Sequence, residues 1–155
     1  MTKRGATMPR IVLDSGGLTA LVGGSHVARE WLRWVVEHEG AICVPTPILV
    51  ESTTGEGARD AEVNRVLAVL ERAAAAMEAP GETIARLAGK LRFAAKSDDG
   101  IDALVAAAAV GDGAPAVLLT SDPHDLEQLL KHQPHVHVRR SSADPSRSSR
   151  GPKGG

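Results

Sequence analysis

The order of apolar runs along the chain is the feature that most limits what it can fold into. Four short runs are strand candidates, and helical patterns separate them (residues 10–14, 41–44, 116–120 and 136–138). The last of them alternates with histidines, which indicates an edge strand. Helices are indicated where apolar residues recur every three or four positions. Strands that alternate with helices favour a mainly parallel sheet with helices on both faces. We therefore predict a three-layer α/β fold around four or five short strands.

The helical patterns differ in how they would pack. Asp60 opens an amphipathic helix that reaches Ala74, and a second helix begins near Ile84 after the turn at residues 80–81. Because these two helices are adjacent in sequence, they could form an antiparallel hairpin. The helix predicted over residues 101–110 is apolar nearly all round, which is typical of a buried helix.

The length of 155 residues fits one domain, which we place at residues 10–140. Residues 1–9 look like a flexible leader, and residues 141–155 are a basic tail rich in Ser, Gly and Pro that we expect to be disordered. The sequence has no apolar stretch of membrane-spanning length and no secretory signal, so the cytoplasm is the expected location and no membrane partner is expected. The one cysteine, Cys43, excludes a disulfide within the chain.

The overall charge does not indicate a protein that binds nucleic acid. The chain has 18 basic and 19 acidic residues, which gives a net charge of −1. Proteins that hold nucleic acid by their global field are usually strongly basic. Any nucleic acid would therefore have to be held by a local basic patch or by bound metal ions.

The positions of four acidic residues carry the functional information. Asp14 and Asp122 each follow a predicted strand, and Asp102 lies in the first turn of the apolar helix. Glu51 lies on the helix that follows the second strand. Ligands of parallel sheets bind at the carboxyl ends of the strands, so these four side chains can meet there.

Converging carboxylates repel one another unless a cation neutralises them. At about 5 Å and an effective dielectric of about 20, each pair costs roughly 3 kcal/mol. Oxygen ligands favour Mg²⁺ or Mn²⁺, and no Cys/His cluster of zinc spacing competes. Such ions can activate water for phosphodiester cleavage. The candidates for supporting side chains around the ligands are Ser15, Asp99, Thr120, Ser121 and Asp125.

Four segments resemble the motifs of PIN domains in the expected order. They are IVLDSGGLTAL at residues 11–21, PILVE at 47–51, DALVAAA at 102–108 and LLTSDPHDL at 118–126. The resemblance covers about residues 10–139. It implies a PIN-like fold in which Asp14, Asp102 and Asp122 bind the metal and act in catalysis together with Glu51.

The compact length resembles VapC-type toxins of bacterial toxin–antitoxin pairs. That resemblance implies a Mg²⁺-dependent endoribonuclease that acts on RNA, forms a homodimer and is inhibited by a cognate VapB-type antitoxin. One position departs from the pattern. Many relatives carry Ser or Thr two residues after the first Asp, where this chain has Gly16. A hydroxyl that would help to orient the site is therefore missing or is supplied by Ser15.

Other interpretations stay open at this point. Arg10, Arg92 and Lys96 are candidates for RNA phosphate contacts, with solvated charge as the alternative for each. The chain could also be a catalytically degenerate PIN-fold binding or regulatory module. A receiver-like phosphoryl-transfer domain that uses Asp14 fits less well, because no Asp-x-Asp stands at 14–16. A P-loop nucleotidase is disfavoured, because its Gly-rich motif is absent.

Overall fold

A computed structural model describes residues 10–73 and 75–141, apart from the side chains of residues 73 and 75–77. The predicted leader and residues 142–155 of the predicted tail lie outside the described residues. The elements in chain order are β1 (Arg10–Leu13), α1 (Ser15–Val22), α2 (His26–Glu37), β2 (Ala41–Pro45), a 3₁₀ turn (Thr46–Ile48), α3 (Leu49–Ser52), α4 (Gly57–Ala73), β3 (Ala75–Glu78), α5 (Glu82–Ala95), α6 (Gly100–Val110), β4 (Ala116–Thr120), α7 (Pro123–Leu129) and β5 (Val136–Arg140).

The strands of the described residues form one five-stranded sheet in the order β3-β2-β1-β4-β5. Every neighbouring pair is parallel. On the central strand, Ile11 pairs with Ile42 on one side and with Val117 on the other. Residues 11–13 are fully buried, as expected of a strand covered on both faces. The predicted α/β fold is confirmed.

Helices cover both faces of the sheet. Right-handed crossovers place α1–α4 on one face and α5–α7 on the other. The packing agrees, because α1 contacts α2 and α4, whereas α5, α6 and α7 contact one another. Helix α6 is buried through its small residues, which include Ala103, Ala106 and Ala107. Within the described residues, no helix combines the length and the apolar character that crossing a membrane would need.

Strand β3 is the element that the sequence did not predict. Its four residues, AAME, carry no β-branched or aromatic side chain, so their local preference is helical rather than extended. Backbone pairing with β2 at the sheet edge overrides that preference, and Cys43 pairs with Ala76. The antiparallel hairpin suggested for α4 and α5 is wrong, because β3 lies between them and the main partner of α5 is α6.

The first residue of the predicted tail is part of the folded domain. Ser141 is fully buried, and its amide donates to the Thr120 carbonyl at 2.8 Å. The Ser25 hydroxyl in turn donates to the Ser141 carbonyl at 2.5 Å. Ser141 is thereby held between the end of β4 and the start of α2.

Candidate active site

A cavity of about 740 Å³ lies at the carboxyl edge of the sheet. Its lining includes all four predicted catalytic acids and all five predicted supporting residues. The lining residues are Asp14, Ser15, Gly16, Thr19, Ala20, Gly23, Ser25, Glu51, Asp99, Asp102, Thr120, Ser121, Asp122 and Asp125. Residues from four helices and from the ends of two strands therefore line one space, as the order of elements predicted.

Asp14 is the buried anchor of the cavity, with 6% of its surface exposed. It directly follows β1 and caps α1, because its Oδ1 accepts from the Gly17 amide at 2.6 Å. Burial raises the pKa of Asp14, and the nearby Thr120 hydroxyl and the Gly17 amide oppose that rise. The capping role and a role in the site coexist in this one side chain.

Asp102 is the acid whose ionisation is most strongly disfavoured. It lies in the first turn of α6 and is half-buried. Burial raises the pKa of Asp102 to about 7, and repulsion by Asp99, Asp14, Glu51 and Asp125 adds to the effect. Asp99 caps α6 by accepting from the Asp102 amide at 2.9 Å, so it directs its own charge to the same end of the helix.

Glu51 is held by a residue from another element. It lies on the short helix α3, and its Oε2 accepts from the Ser15 hydroxyl at 2.9 Å. Ser15 is the first residue of α1, so the bond ties the second acidic motif to the first. This is the contact that a supporting role for Ser15 requires.

Asp122 and Asp125 both belong to the start of α7. Asp122 caps the helix through a long bond, in which its Oδ1 accepts from the His124 amide at 3.4 Å. The Thr120 hydroxyl accepts from the Asp122 amide at 3.1 Å and fixes the backbone of that residue. Asp125 lies in the first turn of α7 and lines the same cavity.

The start of α1 presses directly against the end of β4. A Cβ at Gly16 would overlap the Ser121 hydroxyl and lie 2.9 Å from the Ser121 amide nitrogen. A Cβ at Gly17 would overlap the Leu119 carbonyl oxygen. Gly16 thus makes room for the hydroxyl of Ser121, which lies where a side chain at position 16 would stand.

Sequence reasoning missed the far wall of the cavity, which α1 builds. Thr19, Ala20 and Gly23 line it together with Ser25. The signal was available, because residues three and four apart share one helix face and Ser15 and Gly16 already belong to that face. These residues are polar or small, so an apolar pattern could not reveal them.

The lining of the cavity contains six carboxylates and no Lys, Arg or His. Carboxylate oxygens of this kind are the ligands that Mg²⁺ and Mn²⁺ prefer. As the side chains stand, no three acids, histidines or cysteines of the described residues lie close enough to share one ion. The donor set therefore fits a divalent cation, and exposed side chains such as Glu51 and Asp122 would have to turn inward to close around it.

Two of the three predicted phosphate contacts lie at the end of α5, and none lines the cavity. Arg10 starts β1, so it lies at the opposite edge of the sheet. Its guanidinium donates to the carbonyls of Ala108 and Ala109 at 2.5 and 2.8 Å. This position does not fit a contact to RNA at the cavity and instead caps the carboxyl end of α6. Arg92 and Lys96 occupy the last turn of α5 and its C-cap, outside the cavity.

Comparisons with known proteins agree with this architecture. Residues 11–129 match the family model of the PIN domain. A chain from the crystal structure of VapBC2 from Rickettsia felis, bound to a DNA fragment from their promoter, has a TM-score of 0.64 and 14% identity and covers 84% of this chain and 98% of its own. A chain from the structure of FitAB bound to an IR36 DNA fragment has a TM-score of 0.61 and 16% identity, with coverages of 84% and 94%.

No curated protein matches the sequence. The family match alone spans more than half of the chain, and it includes each of the four acids predicted for the site. The chain therefore belongs to the PIN domain family, whose members are generally nucleases.

Proposed function

We propose that the chain is a divalent-metal-dependent endoribonuclease that hydrolyses RNA phosphodiester bonds. The observation that carries the proposal is the cavity with six carboxylates and no cationic side chain, at the carboxyl edge of a PIN-family sheet. Such a site needs a cation before it can accept a phosphodiester, because the substrate is itself an anion. A bound Mg²⁺ or Mn²⁺ would supply that charge.

Asp14, Asp102 and Asp122 are the proposed metal ligands, and Glu51 is the fourth catalytic acid. When bound, the ion would polarise the phosphoryl oxygen and lower the pKa of a coordinated water. The Gly17 amide keeps Asp14 in place, and the Ser15 hydroxyl orients Glu51. The Gly17 contact keeps the buried Asp14 in place while the exposed acids, Glu51 among them, turn towards the ion.

Four further residues support those acids in the proposal. Asp99 directs its charge towards Asp102 by capping the same helix, and Thr120 fixes the backbone of Asp122. Ser121 and Asp125 line the cavity from β4 and α7. Outer groups of this kind orient metal ligands, and their loss typically lowers metal affinity or activity 10–100-fold.

We further propose that this nuclease is the toxin of a VapBC-type pair. Support comes from the shared fold with chains from the VapBC2 and FitAB structures, although their identities of 14% and 16% establish the fold alone. On this proposal the chain acts in the cytoplasm, pairs with a cognate VapB-type antitoxin and forms a homodimer. Growth arrest on expression that disappears in Asp14→Asn and on co-expression of the neighbouring antitoxin is the expected result.

A degenerate binding or regulatory module is the second candidate. One observation favours it: in the described residues no three potential ligands stand within reach of a single ion. Titration calorimetry with Mn²⁺ and Mg²⁺ separates the two candidates. Heat of binding that vanishes in Asp102→Asn supports the nuclease, whereas no binding at millimolar metal, together with no cleavage, supports the module.

The direct test is RNA cleavage by the purified chain in Mg²⁺, in Mn²⁺ and in chelator. Asp14→Asn and Asp122→Asn should each lower the rate about 100-fold or more, because each removes a proposed metal ligand. Asp98→Asn is the matched control, since it also removes one acid near α6 but Asp98 does not line the cavity. Cleavage that survives the chelator and both ligand variants would contradict the proposal.

A further inference from the structure

Phe93 is the most exposed large apolar side chain among the described residues. It is the only phenylalanine of the chain, it lies on α5, and 87% of its surface is exposed, compared with 40% for Trp34. A ring of this size in water costs free energy unless something covers it. Within the described residues, most of this ring is left uncovered.

The charges around Phe93 have one sign. The segment from Arg86 to Ser97, both included, contains four basic residues and no acidic residue. Lys90 stands three residues before Phe93 and is its neighbour on the helix surface, and Lys96 follows Phe93 by three residues as the C-cap of the helix. Arg86 is paired with Glu82 at 2.8 Å, whereas Arg92 and Lys96 stand at the carboxyl end of the helix.

A separate small cleft shares Lys96 with this basic surface. It has a volume of about 210 Å³ and lies between the end of α5 and the end of α7. Its lining includes two lysines, one histidine and two glutamines, but no acidic residue. Its lining residues are Leu91, Ala94, Ala95, Lys96, Gln128, Leu129, Lys131, His132 and Gln133. Cations and amide donors above an apolar floor can hold a phosphate and its sugar.

The basic surface adjoins the acidic cavity without overlapping it. Lys96 precedes Asp99 by three residues, which limits their separation to roughly 11 Å of extended chain. Asp99 lines the acidic cavity, whereas Lys96 lines the cleft. The cleft is thus placed beside the proposed cutting site.

We propose that the surface formed by Arg92, Phe93, Lys96, Lys131 and His132 binds single-stranded RNA next to the cut. Lys96, Lys131 and Arg92 contact backbone phosphates, and a base stacks on Phe93. An aromatic platform inside a positive groove is how proteins hold single strands, because every base has a π-face and every nucleotide a phosphate. The identity of the ligand as RNA rests on the proposed function.

A second copy of the chain fits this surface less well. A two-fold contact through Phe93 would bring Lys90, Arg92 and Lys96 of one copy against the same residues of the other. Like charges at an interface oppose association by several kcal/mol. The all-positive surroundings of Phe93 therefore favour a polyanion.

The test measures the affinity for a 5′-fluorescein-labelled, mixed-sequence 12-nucleotide RNA by fluorescence anisotropy, in Mg²⁺ and in the Asp122→Asn background so that the RNA stays intact. Phe93→Ala should weaken binding about tenfold, since stacking of one base contributes about 1–3 kcal/mol. Phe93→Leu should weaken it nearly as much, because leucine keeps apolar area but has no ring. Val69→Ala, which also trims an exposed apolar side chain but on α4, should leave the affinity unchanged.

The cationic part has its own readout in the salt dependence. Lys96→Gln with Lys131→Gln should reduce the slope of log affinity against log salt by about 1.4, which corresponds to about 0.7 for each lost phosphate contact on a single strand. An unchanged slope and unchanged affinity for Phe93→Ala would overturn the proposal. So would a wild-type chain that does not bind the RNA.

Sedimentation of the same variants detects the competing occupant. A dimer that becomes monomeric in Phe93→Ala, with RNA affinity unchanged, would assign the surface to self-association instead. The two proposals fail separately. If RNA binding depends on Phe93 but the chain shows no metal-dependent cleavage, only the nuclease proposal is contradicted. If cleavage is unaffected by the Phe93 and lysine substitutions, only the proposed RNA-binding surface is contradicted.

Discussion

At the scale of single residues, Asp102 is the acid whose ionised form the cavity disfavours most. Its carboxyl is taken partly out of water and faces several other acids, which together raise its pKa to about 7. The unfolded chain would titrate this group at its ordinary value of 3.8. The folded protein therefore binds more protons than the unfolded chain between those two pH values, and stability must change across that window.

We predict that the metal-free protein loses stability as the pH rises from about 4 to about 7 and then levels off. Above pH 7 both states are ionised, so the destabilisation is complete but no longer grows. Denaturant unfolding at several pH values in chelator measures this. Asp102→Asn should flatten the trend and should raise the melting temperature at pH 8 by a few degrees while abolishing cleavage. A variant less stable than wild type at pH 8 would contradict the account.

Gly16 belongs to the same scale, because its missing side chain is what admits the Ser121 hydroxyl. Gly16→Ala should lower cleavage at least tenfold and cost about 1–3 kcal/mol of stability, since the new Cβ overlaps Ser121. Adding Ser121→Gly should restore part of the stability, but not all of it, because the Ser121 amide would still lie 2.9 Å from that Cβ. Additive losses in the double variant would show that the two positions do not share this space.

At the scale of elements, the two ends of α6 lie at opposite edges of the sheet and make different contacts. Its amino end delivers Asp102 to the cavity, and its carboxyl end is capped by Arg10 from the far edge of the sheet. Positive charge at a helix carboxyl end stabilises the exposed carbonyls and the helix dipole. One helix thus connects the two edges of the sheet.

Arg10→Leu should cost about 1.5–3 kcal/mol of unfolding free energy, because it removes charged hydrogen bonds to the Ala108 and Ala109 carbonyls. The rate of RNA cleavage at a temperature where the variant is folded should stay within about twofold of wild type, since α6 keeps its other end. Chemical denaturation and a cleavage assay at low temperature measure the two effects. A large loss of RNA affinity without loss of stability would restore the phosphate contact that the sequence suggested.

How much the sequence could predict at this scale depends on how far apart along the chain the interacting residues lie. The strands around Ile11, Ile42 and Leu118 were predictable because their burial is written in continuous apolar runs. The acids were predictable because the carboxyl-edge rule fixes where strand ends meet. Strand β3 was not, because its alanines carry no local preference for extension and only β2 supplies a reason. The bonds of Arg10 to α6 were not predictable, because its partners lie 98 and 99 residues away in sequence.

At the scale of the whole molecule, a net charge of −1 conceals a strong separation of charge. Six acids line one cavity, whereas the end of α5 and the neighbouring cleft contain Arg and Lys but no acid. A substrate that is cut at a bound metal and held by positive side chains nearby would contact both regions. Global charge could not reveal this, because the two regions cancel.

Divalent metal should stabilise the folded protein, and the effect should grow with the logarithm of the metal concentration once that exceeds the dissociation constant. At 100 times its dissociation constant, Mn²⁺ should add about 2.7 kcal/mol, because it binds the folded cavity and not the unfolded chain. Thermal unfolding with increasing Mn²⁺ measures this effect independently of any activity. Asp14→Asn with Asp102→Asn should abolish the shift, whereas Asp98→Asn should retain it. A shift that persists in the double variant would place the ion elsewhere.

The buried Ser141 sets a practical boundary for anyone who shortens this protein. A chain that ended at Arg140 would deprive the Ser25 hydroxyl of its acceptor and the Thr120 carbonyl of its donor, and both of these residues line the acidic cavity. Trimming or fusing at this junction would therefore disturb the lining of the cavity even though no acid had been touched.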